Sequence, residues 1–471
     1  MVSFSFPDIL VIVLFFLTVL AVGFWSMKSK QSNAEDYLLS GRKVGLFLFI
    51  LTNVSTWYGG ILGVGEFTYR YGLLSWFTQG LPYYIFAILF ALFFAKKIRE
   101  ASLITIPDKL EKVYGKKVAL IGSLFLFILV SPAPYLLMVA NLLSLIFNIG
   151  LLPGLIISFI LSAAYLYGGG LRADILTDAF EFFVMYAGFA VIIIAAFIQF
   201  GGFSFLSSNL PANHLKLSGG TSASYIIVWF LIAMWTFTDP GFHQRCYAAK
   251  DGNIAVKGII ISVVLWALFD FLTTTTGLYA RASIPGLAQP VLSFPLLAEK
   301  LLGKGLKGLF YAALLATILS TLNSFLFLSA TTFSNDFLFR FKKVKNQLML
   351  KPLTMLGLTI TGLLSILLAY FIPSVIELWY SIGTICIPGM IFPVISSYYT
   401  RLKIKNILIL IEIIVGFISS ISLYLLRIFF PEKFLLNNIE PMIAGIISAF
   451  LVHSVGIFIN KRNANRVIVQ N

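Results

Sequence analysis

The stretch Leu51-Thr-Asn-Val-Ser-Thr-Trp-Tyr-Gly-Gly60 interrupts one apolar run, and Trp235-Thr-Phe-Thr-Asp-Pro-Gly241 interrupts another. Glycine weakens a helix and proline removes a backbone donor, so each run is predicted to be a helix with a break in it. In lipid, the backbone groups that a break frees persist only where they line a cavity or bind a ligand. The alternative is that the glycines only let helices pack closely.

The composition around these two stretches indicates a polytopic membrane protein. Hydrophobic residues make up 59% of the 471 residues, and only 11% are charged. Soluble domains carry about 25% charged residues, so soluble enzymes, nucleic-acid binders and disordered scaffolds are excluded. The net charge of +15 is interpreted as basic loops on one membrane face, not as a nucleic-acid site. Two cysteines, Cys246 and Cys386, argue against a disulfide framework.

Apolar runs of about 20 residues predict membrane-spanning helices rather than a transmembrane barrel. The thirteen predicted spans are 7–27, 44–72, 74–95, 118–149, 151–167, 173–200, 222–246, 254–280, 307–335, 353–373, 374–400, 405–429 and 439–460. If the N-terminus is outside, 26 of the 34 Lys and Arg residues lie on the inner side. Because basic loops tend to stay in the cytoplasm, this bias predicts an outer N-terminus and a cytoplasmic C-terminus.

The two interrupted runs are the second and the seventh predicted spans. Their offset of five is odd, so a repeat of spans two to six by spans seven to eleven is inverted in the membrane. Interrupted helices at corresponding positions of two inverted halves are typical of the binding site of a secondary transporter.

Four further segments resemble the sodium:solute symporter family. They are Asp36-Tyr-Leu-Leu-Ser-Gly-Arg-Lys43, Gly168-Gly-Gly-Leu-Arg-Ala-Asp-Ile-Leu-Thr-Asp178, Gln244-Arg-Cys-Tyr-Ala-Ala-Lys-Asp251 and Ser320-Thr-Leu-Asn-Ser324. They occur in the order that the family has. The resemblance implies an all-α polytopic protein with the leucine-transporter fold, an inverted repeat of five plus five helices.

The same resemblance implies a domain organisation and a function. We expect one transporter domain over 1–471, with an extra N-terminal helix (7–27), two repeats (44–200 and 222–400) and two C-terminal helices (405–460). The expected function is sodium-coupled import of a small polar organic solute, such as a sugar or an amino acid, by alternating access across the cytoplasmic membrane. We expect no enzymatic activity and no cofactor besides the coupling sodium ion.

The resemblance places a sodium site between the break in span 2 and a polar run in span 9. The implied ligands are the carbonyls of Leu51, Val54 and Thr317 and the hydroxyls of Ser320 and Thr321. Depth in the membrane is an independent test: at about 1.5 Å per residue, Leu51 and Ser320 both lie roughly 10 Å from the inner face. The alternative is that the two hydroxyls only hold helices together.

Asp178 lies inside span 6, where an ionisable residue indicates function. The resemblance implies that it lies near the sodium path to the cytoplasm, and a structural pair with Arg172 or another inner-loop cation is the alternative. Glu181 follows about one helical turn later, where the family often has glutamine. A second carboxylate can raise a pKa in this pair, which leaves proton coupling or a proton-sensitive sodium exit open.

A substrate site is predicted near the membrane midplane, between the two breaks. Its candidate residues are Asn53, Ser55, Thr56, Trp57, Tyr58, Glu66, Gln79, Trp235, Thr238, Asp239, Trp379 and Tyr380. Two acids, Glu66 and Asp239, with no evident cation favour a neutral polyol or a cationic solute. The alternatives are that the aromatic residues only pack between helices and that Glu66 pairs with Arg70.

Other functions remain open from the residues alone. A lipid-modifying enzyme would need a second acidic cluster besides Asp174 and Asp178, a sensor would be expected to carry a further module after the last span, and a channel would need a pore ring. Arg245 and Lys250 are interpreted as anchors at the lipid headgroups. The scattered histidines predict no metal site.

Overall fold

Apolar runs bounded by Gly, Pro and charged residues fold into helices, and the described residues contain no β-strand. The computed structural model describes residues 2–28, 33–341, 349–373, 375–430 and 439–470, without the side chains of 224, 376, 377, 379, 380 and 463–470. The helices of the first half are α1 (Phe6–Ser26), α2 (Ala34–Leu39), α3 (Leu46–Ser55), α4 (Ile61–Tyr71), α5 (Leu74–Gln79), α6 (Leu81–Phe90), α7 (Lys96–Ala101), α8 (Ile106–Tyr114), α9 (Lys116–Leu129), α10 (Ala133–Phe147), α11 (Leu151–Phe200) and α12 (Phe203–Asn209). Those of the second half are α13 (Ala223–Ile232), α14 (Pro240–Ala248), α15 (Gly252–Ser283), α16 (Ser293–Leu301), α17 (Leu306–Thr331), α18 (Leu350–Phe371), α19 (Val375–Tyr398), α20 (Asn406–Phe429) and α21 (Pro441–Gln470).

Short helical turns of other types join several of these elements. The 3-10 turns are Ser40–Arg42, Ala233–Phe237, Pro290–Leu292 and Thr400–Leu402, and the π-helical turns are Ala91–Ala95 and Thr332–Phe339. The predicted span 118–149 is also interrupted, since α9 ends at Leu129 and α10 begins at Ala133. Pro132 and Pro134 at this junction remove backbone donors, which explains the interruption.

Eleven helical segments among the described residues are long and apolar enough to cross a membrane. Helix α11 has 50 residues and would extend about 75 Å, more than twice the thickness of a bilayer core. It bends at Gly170, whose φ of 54° suits glycine and whose missing side chain leaves room for the backbone of Tyr37. Counting α11 as two spans and α3 with α4 as one interrupted span agrees with the predicted thirteen, and that number stays a prediction.

Both predicted breaks are present. Helix α3 ends at Ser55 and α4 begins only at Ile61, so residues 56–60 leave the helical path. In the second interrupted span, α13 ends at Ile232, a 3-10 turn follows, and α14 begins at Pro240. The two interruptions that the sequence indicated are therefore confirmed.

Helix α17 is the central helix of the fold. Of its apolar window 94% is buried, against 28% for α1, α20 and α21. It packs against α11, α1 and α18 and also contacts α3 and α4 on either side of the first break. Polar side chains on such a buried helix need hydrogen-bond partners inside the protein. The serines and threonines of α17 are therefore candidates for a functional site.

Candidate sodium and substrate sites

Two neighbouring hydroxyls on α17 contact the first break. The Ser320 hydroxyl donates to the carbonyl oxygen of Ser55 at 2.8 Å, and the Thr321 hydroxyl donates to the carbonyl oxygen of Thr56 at 2.9 Å. These carbonyls are available because α3 stops at Ser55, and the last carbonyls of a helix have no intrahelical donor. The break is pressed against α17, since a side chain on Gly59 would overlap Thr321.

The predicted sodium ligands lie around the same point but are not all in direct contact. The carbonyl of Leu51 accepts the Ser55 hydroxyl at 3.0 Å, and the carbonyl of Val54 accepts the amide of Trp57 at 3.2 Å. The Thr317 carbonyl lies 3.4 Å from the hydroxyl oxygens of both Ser320 and Thr321. The two predicted segments therefore meet, with their direct contacts shifted from Leu51 and Val54 toward the end of α3.

Asp178 connects this region to α14. Its carboxylate accepts a hydrogen bond from the Thr52 hydroxyl, and its Oδ2 atom lies 3.8 Å from Nη2 of Arg245. The same Arg245 nitrogen donates to the Ser324 hydroxyl at 3.0 Å, and that hydroxyl donates to Asp174 at 2.6 Å. Both aspartates and Glu181 are fully buried.

The interpretation of Arg245 as a headgroup anchor is wrong. Its side chain is buried, because α14 enters the protein and contacts α3, α7 and α17 instead of running along the membrane surface. Lys250, five residues later, is exposed, and so is Arg172. The cation facing Asp178 is therefore Arg245, which is another inner-loop cation of the predicted topology, and not Arg172. The polar residues at the end of α14 are a signal that Arg245 could be buried. The sequence does not say, however, which side of α14 faces inward.

Aromatic side chains surround the first break on its other side. The Trp57 ring stacks on Trp266 of α15, with centroids 4.9 Å apart and planes at 28°. The edges of Tyr83 and Phe242 complete the group, at 5.0 and 5.5 Å from Trp57. Tyr58 donates its hydroxyl to the carbonyl of Trp266 at 2.9 Å. The break is thereby held between α17 and α15.

An acid that the sequence analysis missed lies next to this aromatic group. Asp270 on α15 accepts a hydrogen bond from the Tyr84 hydroxyl and is partly exposed. A side chain on Gly80 would lie 2.8 Å from its Oδ2 atom, so the start of α6 passes close by. The signal was present in the sequence, since an ionisable residue in the middle of an apolar span is a functional candidate.

A model of the sodium:solute symporter family matches residues 37–401. The chain belongs to this family. The sodium/pantothenate symporter of Escherichia coli (strain K12) is 26% identical over 79% of this chain and 81% of its own length. High-affinity choline transporter 1 of Caenorhabditis elegans is 25% identical, covering 79% and 70% of the two chains. The sodium/glucose cotransporter of Vibrio parahaemolyticus is 27% identical, covering 70% and 68%.

Solved structures agree on the fold of this symporter. The structure of a Na⁺-coupled sialic acid symporter in a substrate-bound, outward-open state superposes with a TM-score of 0.83 at 17% identity and covers 97% of both chains. A transporter of the nucleobase-cation-symport-1 family superposes with a TM-score of 0.55 at 14% identity, covering 90% and 94%. The predicted leucine-transporter fold is confirmed. The symporter couples movement of a solute across a membrane to sodium, and it is not an enzyme.

Both predicted acids of the substrate site have partners in the structure, and their role in substrate binding stays a prediction. Glu66 forms an ion pair of 2.9 Å with Arg70, the alternative considered for it. Asp239 caps α14, and its Oδ1 atom accepts the amide of Gly241 at 2.6 Å. Both partners are close in sequence, and only the partner of Glu66 carries an opposite charge.

The remaining substrate candidates are scattered. Hydroxyls of Ser55, Thr56 and Thr238 donate to nearby carbonyls of their own segments, and Gln79 is partly exposed at the end of α5. The Nδ2 atom of Asn53 is buried without a partner among the described residues.

Trp235 does not join the Trp57 group. Trp235 packs against a second apolar cluster formed with α8, α9 and α19, whereas Trp57 packs against the larger core. The side chains of Trp379 and Tyr380 on α19 lie outside the described residues.

Proposed function

We propose that this symporter binds sodium between the first break and α17. The proposed ligands are the carbonyls of Leu51, Val54 and Thr317 and the hydroxyls of Ser320 and Thr321. The supporting observation is that both hydroxyls already touch carbonyl oxygens of the break, at 2.8 and 2.9 Å. A hard cation prefers such oxygen ligands, and unwound helices supply them in transporters. When an ion binds, the two hydroxyls keep their protons but rotate them away from the carbonyl oxygens, so that their lone pairs face the ion.

A sodium ion at this point links the two predicted repeats, because α3 belongs to one and α17 to the other. Its binding stabilises the arrangement in which the break is pressed against α17. If substrate favours the same arrangement, sodium and substrate must raise each other's affinity by the same factor. Asp178 and Glu181 lie on the proposed sodium path, and the Thr52 hydroxyl connects Asp178 directly to α3.

The proposed substrate is a small polar organic solute, either a neutral polyol or a cationic solute. Because Glu66 and Asp239 have local partners, this proposal now depends on Asp270 and on the aromatic face of Trp57. An aromatic ring suits the face of a sugar or a cation, and a nearby carboxylate accepts from hydroxyls or pairs with a positive charge. The three relatives named above are called carriers of pantothenate, choline and glucose, which differ in charge, so their names do not select one class.

We further propose that the protein lies in the cytoplasmic membrane with its N-terminus outside and its C-terminus inside, and that it imports its solute. The unequal distribution of Lys and Arg supports this orientation. Labelling a cysteine introduced at Ser3 from outside, and one at Asn465 only from inside, would agree with it.

The sodium site is tested by equilibrium binding of radioactive sodium to the purified protein. We expect Thr321→Ala and Ser320→Ala each to weaken sodium binding about tenfold, since each removes one oxygen ligand while retaining the helix. Ser329→Ala is the matched control, because this hydroxyl lies on the same helix and faces Thr361 instead of the break. Unchanged sodium affinity in both variants would refute the site.

The substrate class is tested separately by thermal unfolding with sugars, amino acids, nucleosides and monocarboxylates, each with and without sodium. A ligand that binds the folded state raises its unfolding temperature. We expect a polyol or a cationic solute to do so more strongly when sodium is present. Stabilisation by an anionic solute alone would contradict the proposed class.

A further inference from the structure

Beside the proposed sodium site lies a group of buried acceptor atoms that lack donors. The atoms without a hydrogen-bond partner in the described part of the chain are Asp174 Oδ1, Asp178 Oδ1, both carboxyl oxygens of Glu181 and Asn323 Oδ1. All four residues are fully buried, and Asn323 belongs to α17 while the three acids belong to α11. Buried acceptors are normally paired, so five of them together indicate that donors or cations bind here.

The charges in this cluster do not balance. Three carboxyls face one arginine, and Arg245 serves the first two: it approaches Asp178 at 3.8 Å and reaches Asp174 through Ser324. Glu181 receives neither a hydrogen bond nor an ion pair within the described residues. An ionised carboxylate buried without a partner costs several kcal/mol, whereas a protonated one is neutral.

Within the described ranges, Arg245 is the only cation that acts on this row of acids. The charged groups that act on the three acids are those acids themselves and Arg245 of α14. From α3 and α17 come only neutral side chains, Thr52, Asn323 and Ser324, and Asn323 donates through Nδ2 to the phenol oxygen of Tyr165 at 2.5 Å. Asp270 of α15 is bonded to Tyr84 and does not act on Glu181.

A proton fits this position better than a second metal ion. No group of three or more His, Cys, Asp or Glu side chains in the described ranges is arranged to hold a metal. The three acids follow one another at intervals of four and three along one face of α11, so they form a row and do not converge on a point.

We propose that Glu181 is a proton-binding site whose occupancy opposes sodium binding at the neighbouring site. This inference rests on the proposed sodium site. When Glu181 holds its proton, the cluster carries one negative charge less, and sodium near Asp178 is bound more weakly. By linkage, sodium binding must then release this proton, and the proton returns when sodium leaves toward the cytoplasm.

The test is sodium binding to the purified full-length protein at several pH values between about 5.5 and 8.5, a range in which an unbalanced carboxyl can titrate. For the wild-type protein we expect the sodium affinity to rise about tenfold with pH, because ionised Glu181 adds one negative charge near the bound sodium ion. Glu181→Gln keeps the shape of the protonated acid, and we expect it to hold the acidic affinity at every pH. Glu181→Asp should restore the pH dependence.

Two controls separate this inference from the sodium proposal. Glu412→Gln removes another buried carboxyl, paired with His453 at 2.9 Å far from α17, and should leave the pH dependence unchanged. If wild-type protein binds no sodium at any pH, the proposed function fails. If it binds sodium with the same affinity throughout, or if Glu181→Gln keeps the full pH dependence, only the proton site is refuted.

A second measurement needs no variant. Addition of sodium chloride to the weakly buffered protein should release protons, seen with a pH indicator, and potassium chloride at the same concentration should release none. Absence of proton release in a preparation that binds sodium would overturn the proposal even if Glu181→Gln fails to fold.

Discussion

Two regions of the protein contain the same set of charged groups, three carboxyls and one arginine, with opposite results. In the first, Arg340 contacts all three of its acids: Asp108 at 2.6 Å, Glu111 at 2.5 Å and Asp336 at 3.4 Å. In the second, Arg245 reaches only Asp178, at 3.8 Å, and among the described residues four carboxyl oxygens of its acids lack a hydrogen-bond partner, against one, Asp336 Oδ2, in the first. Under the predicted topology the Arg340 cluster lies on the cytoplasmic side.

The difference teaches that the number of charges does not define the role of a polar cluster. The Arg340 guanidinium lies between α8 and the π-helical turn after α17, where its nitrogens can point at acids from both elements. Arg245 donates from Nη2 to a serine and from Nη1 to a carbonyl of its own helix, and its Nε atom has no hydrogen-bond partner among the described residues. The first cluster joins two helical elements, and the second has buried acceptors without donors among the described residues, as the proposed proton site requires.

Removal of the satisfied arginine should have the largest effect. Arg340→Ala leaves Asp108, Glu111 and Asp336 without their cation, and we expect a loss of about 3 kcal/mol in the free energy of unfolding, because breaking one side of a buried ion pair is costly. Thermal unfolding in detergent measures it. Arg427→Ala, which removes a partly exposed partner of Glu440, is the control and should cost much less. Equal losses of stability in the two variants would show that the Arg340 cluster stabilises the fold no more than the partly exposed pair of Arg427 and Glu440.

The contact between the break and α17 can be overfilled. Gly59→Ala introduces a methyl group that overlaps Thr321, so we expect a loss of about 2 kcal/mol in stability and weaker sodium binding. Adding Thr321→Ala should restore stability but not sodium affinity. Gly45→Ala, at the other end of α3 with nothing near its Cβ position, is the control. A stable Gly59→Ala protein with normal sodium binding would show that the break can move away from α17.

Asp270 accepts a hydrogen bond from Tyr84, and its side chain is still partly exposed. We expect Asp270→Asn to raise about tenfold the substrate concentration that is needed for half-maximal thermal stabilisation. The substitution removes the negative charge and keeps an acceptor for Tyr84. Sodium binding should be unaffected. If substrate stabilisation persists while Glu412→Gln is also neutral, the substrate site has to be sought away from α15.

The smallest effect is expected at an ion pair outside the predicted spans. Burial acts to raise the pKa of Glu299, but hydrogen bonds from Lys307 and Ser3 outweigh it and hold the pKa below its usual value of 4.5. The carboxylate therefore stabilises the fold at neutral pH, and this contribution is lost as the pH falls below about 4.5. Glu299→Gln should lower stability at neutral pH by less than about 1 kcal/mol, with no difference from wild type in acid. A difference that grows in acid would have the wrong sign.

Several features of the site could be predicted because they depend on neighbours along the chain. Breaks at 56–60 and at 233–239 follow from Gly and Pro in apolar runs, which no tertiary contact can turn into regular helix without cost. The meeting of Ser320 with the break was implied by the family resemblance, and equal depth agrees with it because the bilayer fixes how far each residue lies from its surface. The family follows from motifs that keep their order.

What only the tertiary structure decided is the direction in which each side chain points. Asp239 turned to cap its own helix, Glu66 turned to Arg70, and Arg245 turned inward although its position at a helix end suggested the surface. In a span that is apolar on all sides, the sequence carries little periodic signal for which face is buried, so rotation about the helix axis is set by packing against other helices. That rotation brings the acids of α11 against Asn323 of α17, leaves Glu181 without a partner in the described part of the chain, and places Asp270 beside the aromatic group of the break.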